Sequence, residues 1–273
     1  MRSTIRGHPG DSEAQAERLY RVVRGVASPL YRLLTPVRVV GAEHLPPAGP
    51  AIVAANHISF FDTVVLMLSV PRKTYFVGKA EYMDSWKTKY LFPAMGMIPI
   101  DRSGGNASER ALNTAARVLE SGEFFGIYPE GTRARDGRLH RGHTGPARLA
   151  LRTGTPIIPV GIVGTRDIQP PDARLPRPFK KAEIRFGRPI EVGRYADRAD
   201  DRLVLRQIID EVMYEIRELT GQDYVDEYAS KKAEGIPAAE TAHVIELDEA
   251  ANGNGSSTDP PRRSSAEVLA PRT

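Results

Sequence analysis

The sequence of 273 residues contains no cysteine. This absence excludes disulfide bonds, cysteine nucleophiles and thiolate metal sites, and it is compatible with a reducing compartment. Long apolar runs are also missing. The first six residues are not followed by the apolar stretch of a secretory signal. The longest uncharged window, residues 44–61, contains three prolines, which a membrane-spanning helix tolerates poorly.

Positive charge is concentrated at the start of the chain. Residues 1–38 hold seven arginines and three acidic residues, and this net charge of +4 equals the formal excess of the whole chain. Within them, residues 12–34 carry apolar residues at helical spacing on one side and arginines on the other. The pattern predicts an amphipathic helix, kinked at Pro29. It fits both a surface helix packed on the core and a helix lying in an anionic membrane interface.

From residue 37 onward the predicted strands and helices alternate, which is typical of an α/β protein. We predict a mixed, largely parallel sheet flanked by helices, preceded by the amphipathic helix. The predicted domains are an N-terminal amphipathic helical segment (1–36), a central domain (37–222), and a short helix followed by a disordered tail (223–273). The predicted strands cover residues 37–40, 51–55, 74–77, 97–100, 124–128, 157–163 and 182–186. The predicted helices cover residues 61–69, 81–94, 106–121, 144–152 and 203–219.

The stretch "NHISFFD" places two candidate catalytic residues, His57 and Asp62, directly after an apolar strand. In a strand-to-helix turn, the carboxylate can accept the Nδ1 proton and leave Nε2 as a base. Asn56 and Ser59 are candidates to hold this turn through side-chain to backbone bonds. The spacing fits equally a helix start with a packed histidine. Because no G-x-S-x-G elbow occurs, a nucleophilic hydroxyl would have to come from a substrate.

Three further stretches carry polar residues after predicted strands. In "YPEGTRARDG", Gly131 frees the backbone, Thr132 supplies a hydroxyl and Arg133 offers a fork suited to phosphate. Glu130 is a candidate to pair with Arg133 or to accept from a hydroxyl-bearing ligand, and an ordinary surface turn fits the same letters. "GMIPIDRSGG" puts Arg102 ahead of a helix start, which suits an anion, and Lys79 follows another strand. The H-x-x-H pair His140 and His143 lacks a third ligand for a metal.

These stretches share one property, because each follows a strand of the predicted sheet. In an open α/β sheet such strand ends gather at one crevice. A His/Asp base and several phosphate-suited cations would then face a single pocket.

Four stretches, taken in order, resemble the conserved blocks of the glycerolipid acyltransferases, the family of the 1-acyl-sn-glycerol-3-phosphate acyltransferases. They are "NHISFFD", "GMIPIDR", "YPEGTR" and "IIPVGIVGT". In the second block, Pro99 and Asp101 stand at positions where the family varies. The resemblance covers about residues 35–220.

The resemblance implies a mechanism in which His57 deprotonates the glycerol hydroxyl of lysophosphatidic acid and Asp62 orients His57. The oxygen then attacks the thioester of acyl-CoA or acyl carrier protein, which gives phosphatidic acid, and no metal or prosthetic group is required. The family's phosphate-binding role falls on Arg102 and Arg133, with Lys79 as a helper. Glu130 and Gly131 match the block that shapes the acceptor site.

The resemblance also implies a setting and an acceptor. The family works at membrane surfaces, so the resemblance implies that the N-terminal amphipathic helix is a membrane anchor. We expect a peripheral or monotopic protein on the cytoplasmic face of the plasma membrane, bound to anionic lipid. Thr132 stands where relatives acting on glycerol-3-phosphate tend to have a second glycine, which favours a lysophospholipid. An acyltransferase for a glycolipid or an ornithine-type lipid, and a non-catalytic membrane-binding protein, stay open. Nucleic-acid binding is not expected, since no recognisable module accompanies the arginines.

Overall fold

A computed structural model of the chain describes residues 20–22, 24–25, 29, 33–79, 95–100, 107–171, 173 and 175–230. The predicted amphipathic helix lies mostly outside these ranges, and the predicted helix over residues 81–94 lies wholly outside them. The membrane anchor therefore stays a prediction. In the described ranges, no helix combines the length and apolar character required to cross a bilayer.

The described residues form strands, helices and short 3-10 turns in alternating order. The strands are β1 (Val37–Val40), β2 (Ala51–Ala55), β3 (Thr74–Lys79), β4 (Met97–Ile100), β5 (Phe124–Ile127), β6 (Leu139–His140), β7 (Ile157–Val163), β8 (Ala182–Phe186) and β9 (Tyr224–Val225). The helices are α1 (Phe61–Ser69), α2 (Ala107–Glu120), α3 (Gly145–Thr153), α4 (Thr165–Ile168) and α5 (Arg202–Thr220).

The main sheet has seven strands in the order β1-β8-β7-β2-β5-β3-β4. Neighbouring strands are parallel except β7 and β8, which are antiparallel. The central strand β2 is buried along its whole length, which explains its unbroken run of Ala, Ile and Val. Helices α2, α3 and α5 contribute to one core cluster and α1 to the other. The predicted mixed, largely parallel sheet flanked by helices is therefore confirmed.

Two sequence predictions for the C-terminal part are corrected. In the last predicted helix, residues 203–219, the apolar spacing places Leu203 on the buried face, yet Leu203 is 78% exposed. It lies in the first turn, where its N–H donates to the N-cap carboxylate of Asp201 at 2.8 Å, and Val204 and Leu205 enter the core instead. The short helix predicted after residue 222 is wrong for residues 223–230. There β9 pairs with β6, because Leu139 N–H donates to Asp223 O at 2.9 Å and Arg141 N–H to Glu227 O at 3.0 Å.

The direction of the strands decides where polar residues can meet. β2, β3, β4, β5 and β7 run parallel. Their carboxyl ends therefore lie along one edge of the sheet, and the segments that leave them are neighbours. Three such segments, after β2, β5 and β7, build the site described below.

Candidate active site

The turn after β2 brings His57 and Asp62 into direct contact. Nδ1 of His57 lies 2.9 Å from Oδ2 of Asp62, and the side chains are 17% and 0% exposed. The same oxygen accepts the backbone N–H groups of Ile58 and Ser59, each at 2.7 Å. A carboxylate bound in this way only accepts hydrogen bonds, so Nδ1 is the donor of this contact, and a neutral imidazole then has its lone pair on Nε2. The geometry matches the predicted pair, whose catalytic role stays a prediction.

The second oxygen of Asp62 is bound from the segment after β7. Oδ1 accepts the hydroxyl proton of Thr165, whose side chain is fully buried at the start of α4. Nearby, the hydroxyl of Ser59 donates to Gln169 O at 3.0 Å and accepts the N–H of Phe61 at 3.3 Å. Ser59 thus holds the turn as predicted from the sequence. Thr165 was not singled out, although it is the last letter of the block "IIPVGIVGT".

Tyr128 is a further residue of the site that could not be identified as a candidate from the sequence. Its ring stacks on the imidazole of His57, with centroids 3.9 Å apart and planes inclined by 12°. Its hydroxyl lies 2.7 Å from Oγ1 of Thr63. Burial, and secondarily the charge of Asp62, raises the pKa of Tyr128 well above its usual value. The phenol therefore stays neutral, and its stacked ring fixes the plane of the His57 imidazole. The π face of the phenol also favours the protonated form of that imidazole.

Glu130 is buried rather than paired with an arginine. Its side chain is 1% exposed. Oε2 accepts the backbone N–H of His57 at 2.9 Å, and Oε1 accepts that of His140 at 3.0 Å. An ion pair with Arg133, one of the two options that the sequence left open, does not form, because both oxygens already accept backbone N–H groups. Glu130 joins the turn after β2 to the loop after β5, and burial raises its pKa to about 8.

The raised pKa of Glu130 predicts a pH-dependent stability. The folded protein keeps this proton up to pH about 8, whereas the unfolded chain releases it near 4.5, so the folded state binds more protons between these values. The free energy of unfolding should fall as pH rises through this window, by up to about 1.4 kcal/mol per pH unit. Glu130→Gln lacks this slope. Urea unfolding of both proteins across the window tests it, and parallel pH curves would refute the assignment.

The rest of the loop after β5 faces the same edge. Gly131 has φ +72°, and a Cβ there would lie 3.0 Å from the ring of His143, so glycine is required. The N–H of Ala134 donates to His57 O at 2.7 Å, which ties the loop to the turn after β2. Thr132 and Arg133 are partly exposed. Arg133 forms no hydrogen bond or ion pair with any described residue.

Asn56 has a different role from the predicted one. It does not hold its own turn. Instead, its amide pairs across the sheet with Ile162, accepting the N–H at 2.8 Å and donating to the carbonyl at 2.9 Å. Its Nδ2 also donates to Oε1 of Gln222 at 2.9 Å, and Nε2 of Gln222 donates to Gly137 O at 2.8 Å. Gln222, which sequence reasoning missed, therefore links two of the three segments.

The remaining sequence candidates are placed less fully. Lys79 ends β3 and so lies at the same edge of the sheet. Arg102 lies outside the described residues, and the binding roles of both stay predictions. Nε2 of His140 lies 3.1 Å from Asp136, and the ring of His143 stacks on Tyr228 with centroids 4.4 Å apart. The described part of the chain contains no group of three or more side chains arranged to hold a metal.

Part of the chain matches a known protein family. Residues 36–163 match the model of the Acyltransferase family. This segment holds the His57–Asp62 pair and the loop after β5. Residues 36–163 therefore form a domain of the Acyltransferase family, and the resemblance to the glycerolipid acyltransferases is confirmed.

The chain is also similar to proteins named 1-acyl-sn-glycerol-3-phosphate acyltransferases. The chain is 30% identical over 135 residues to a chloroplastic 1-acyl-sn-glycerol-3-phosphate acyltransferase of Arabidopsis thaliana, covering 49% of this chain and 38% of that protein. It is 29% identical over 129 residues to the 1-acyl-sn-glycerol-3-phosphate acyltransferase of Borreliella burgdorferi, covering 47% and 52%. The chain thus spans about two-fifths to half the length of these two relatives.

A solved structure shares the fold. The 1-acyl-sn-glycerophosphate acyltransferase PlsC of Thermotoga maritima superposes with a TM-score of 0.57 at 25% sequence identity. The match covers 76% of this chain and 77% of that one. The similarity therefore extends well beyond the segment matched by the family model.

Proposed function

We propose that the protein transfers an acyl group from a thioester donor to the free hydroxyl of 1-acyl-sn-glycerol-3-phosphate, a step of phospholipid biosynthesis that yields phosphatidic acid. The observation that carries this proposal is the 2.9 Å contact between Nδ1 of His57 and a fully buried Asp62. The names of the relatives support the acceptor.

The reaction proceeds by general base catalysis. Nε2 of His57 takes the proton of the acceptor hydroxyl as its oxygen attacks the thioester carbonyl. The tetrahedral intermediate collapses by breaking the carbon–sulfur bond, and the imidazolium returns the proton to the leaving thiolate. The products are phosphatidic acid and the free thiol carrier. The charge of Asp62 and the face of Tyr128 both favour the transient imidazolium.

We assign binding of the acceptor phosphate to arginine and lysine side chains. Arg133 is the described candidate, because its partly exposed guanidinium has no competing partner among the described residues. Arg102 and Lys79 complete the set that the resemblance implies. Thr132 neighbours Arg133 and suits a lysophospholipid, whereas Glu130 acts through the two backbone amides that it holds.

The donor is acyl-CoA or an acyl carrier protein thioester, since the same carbonyl chemistry serves both. The proposed chemistry uses the chain's own side chains and the two substrates. We propose that it takes place on the cytoplasmic face of the plasma membrane, where a lipid acceptor is available. The amphipathic pattern of residues 12–34 supports attachment to anionic lipid.

A direct assay tests the proposed function. The full chain, with lipid vesicles and a radiolabelled acyl-CoA or acyl carrier protein, is offered lysophosphatidic acid, glycerol-3-phosphate, a glycolipid and an ornithine lipid. We expect labelled phosphatidic acid from lysophosphatidic acid. Transfer to another acceptor alone would reject the substrate, and no transfer to any of them with a folded protein would reject the function.

The same assay tests the role of Arg133. A charge-assisted hydrogen bond to phosphate contributes about 1.5–3 kcal/mol, so Arg133→Ala should lower kcat/KM for the acceptor by roughly 10–100-fold. The loss should appear mainly in KM. Arg148→Ala, which removes an exposed arginine of α3, is the matched control and should be neutral. Equal effects of the two substitutions would exclude a specific phosphate contact.

A further inference from the structure

One exposed loop of the described surface carries two large apolar side chains. Residues 175–181, "LPRPFKK", are all exposed. Leu175 is 78% exposed and Phe179 is 73% exposed. Scattered apolar residues on a surface need no explanation, but a leucine and a phenylalanine this open in one short loop form a local apolar feature.

The backbone of this loop holds Phe179 in an uncommon conformation. Phe179 has φ +62°, the only positive φ of a non-glycine residue in the described chain. For a bulky side chain this backbone conformation is strained. Two backbone bonds fix the loop: Phe179 N–H to Leu34 O at 2.6 Å, and Arg177 N–H to Ile168 O at 2.7 Å. Because the side chain of Phe179 is exposed, packing in the core does not offset the strain of its backbone.

The bond to Leu34 makes this loop continuous with another apolar surface. Leu33 is 71% exposed and Leu34 is 40% exposed. Both belong to the segment whose helical pattern fits an interface. We define the docking patch as Leu33, Leu34, Leu175 and Phe179.

The loop of the docking patch also carries positive charge. Residues 175–181 contain Arg177, Lys180 and Lys181 and no acidic residue, and all three cations are exposed. Apolar side chains flanked by lysine and arginine are what an anionic bilayer surface binds, because the former enter the interface and the latter meet the headgroups.

The loop is also adjacent to the candidate active site. It is anchored at Ile168, the last residue of α4, and α4 begins with Thr165, which donates to Asp62. The carbonyl of Gln169, at the beginning of the same connection, accepts the hydroxyl of Ser59. A bilayer bound at the docking patch would therefore lie beside the turn that carries His57.

We propose that the docking patch, with the cations of residues 177–181, is a membrane-contacting surface for an anionic bilayer. It brings the edge of the sheet that carries His57 to the lipid that supplies the acceptor. This inference rests on the proposed function for the identity of that acceptor, whereas the binding itself does not depend on catalysis.

Flotation of the full chain with vesicles of phosphatidylcholine, with and without phosphatidylglycerol, tests the proposal. Leu175→Ser/Phe179→Gly should lower the partition coefficient on anionic vesicles on the order of tenfold. Phe179→Gly relieves the positive φ, so the variant should fold at least as well. Lys180→Gln/Lys181→Gln should weaken binding to anionic vesicles only. Leu203→Ser is the matched control, since Leu203 is also 78% exposed, and it should bind as wild type.

Activity on two acceptors separates this inference from the proposed function. With a short-chain lysophosphatidic acid dissolved as monomer, Leu175→Ser/Phe179→Gly should match wild type, and with a long-chain acceptor in vesicles it should be slower. Wild-type binding of that variant to anionic vesicles would overturn the docking patch. Loss through the lysine substitutions alone would also overturn it, because it would indicate binding through headgroup charge without insertion of the apolar side chains. Inactivity of wild type on both acceptors would instead overturn the function.

Discussion

His57→Ala should lower kcat for acyl transfer by at least about 10²–10⁴-fold, the contribution of a positioned general base. The imidazole is the group placed to take the hydroxyl proton, and alanine leaves none. The fold should survive, because the side chain of His57 makes one hydrogen bond among the described residues, to Asp62. Steady-state rates with the thioester donor, together with thermal unfolding, measure both effects.

The control for His57→Ala is a histidine remote from the site. His44 bonds Phe186 O through Nδ1 at 2.8 Å, at the end of β8, which runs opposite to β2. His44→Ala should keep full activity. Retained transfer by His57→Ala in a folded protein would mean that another base or none serves the reaction.

Asp62→Asn is the second substitution with a large expected effect. The amide can still accept from Ile58 and Ser59, and Thr165 can turn its hydroxyl to accept from it, so the turn should persist. The negative charge that favours the imidazolium is lost. We therefore expect kcat to fall by about 10²–10⁴-fold, with a smaller change in KM for the acceptor.

A second histidine–aspartate pair provides the control for Asp62→Asn. Asp136 contacts His140 at 3.1 Å, but it is part of an exposed loop and also binds Arg138. Asp136→Asn should leave kcat nearly unchanged. Equal losses from Asp62→Asn and Asp136→Asn would show that the buried carboxylate has no special role.

The part of the site that could be predicted consists of residues close together in the chain. His57 and Asp62 are five positions apart in one turn, so their contact could be predicted from their spacing alone. The alternation of apolar strands and amphipathic helices likewise predicted the sheet, and burial of β2 on both sides explains its continuous apolar letters.

The part that could not be predicted depends on distant residues. Thr165, Tyr128 and Gln222 reach the turn after β2 from other segments, and single residues of these types carry no spacing signal. The partners of Glu130 could not be predicted for the same reason, because neighbouring letters offered Arg133 or a ligand hydroxyl while the fold supplied backbone amides. The pair of short strands, β6 and β9, joins residues too far apart for local patterns to reveal.

The hydrogen bonds of Gln222 limit how far the chain can be truncated before the candidate active site loses its geometry. Recognisable similarity to the family model stops at residue 163. Yet the hydroxyl that caps Asp62 comes from residue 165, and the amide that clamps Asn56 to Gly137 comes from residue 222. A fragment limited to residues 36–163 would keep His57 and Asp62. It would lose Thr165 and Gln222, whose hydrogen bonds hold the turn that carries this pair. Homology boundaries are therefore a poor guide for cutting this protein.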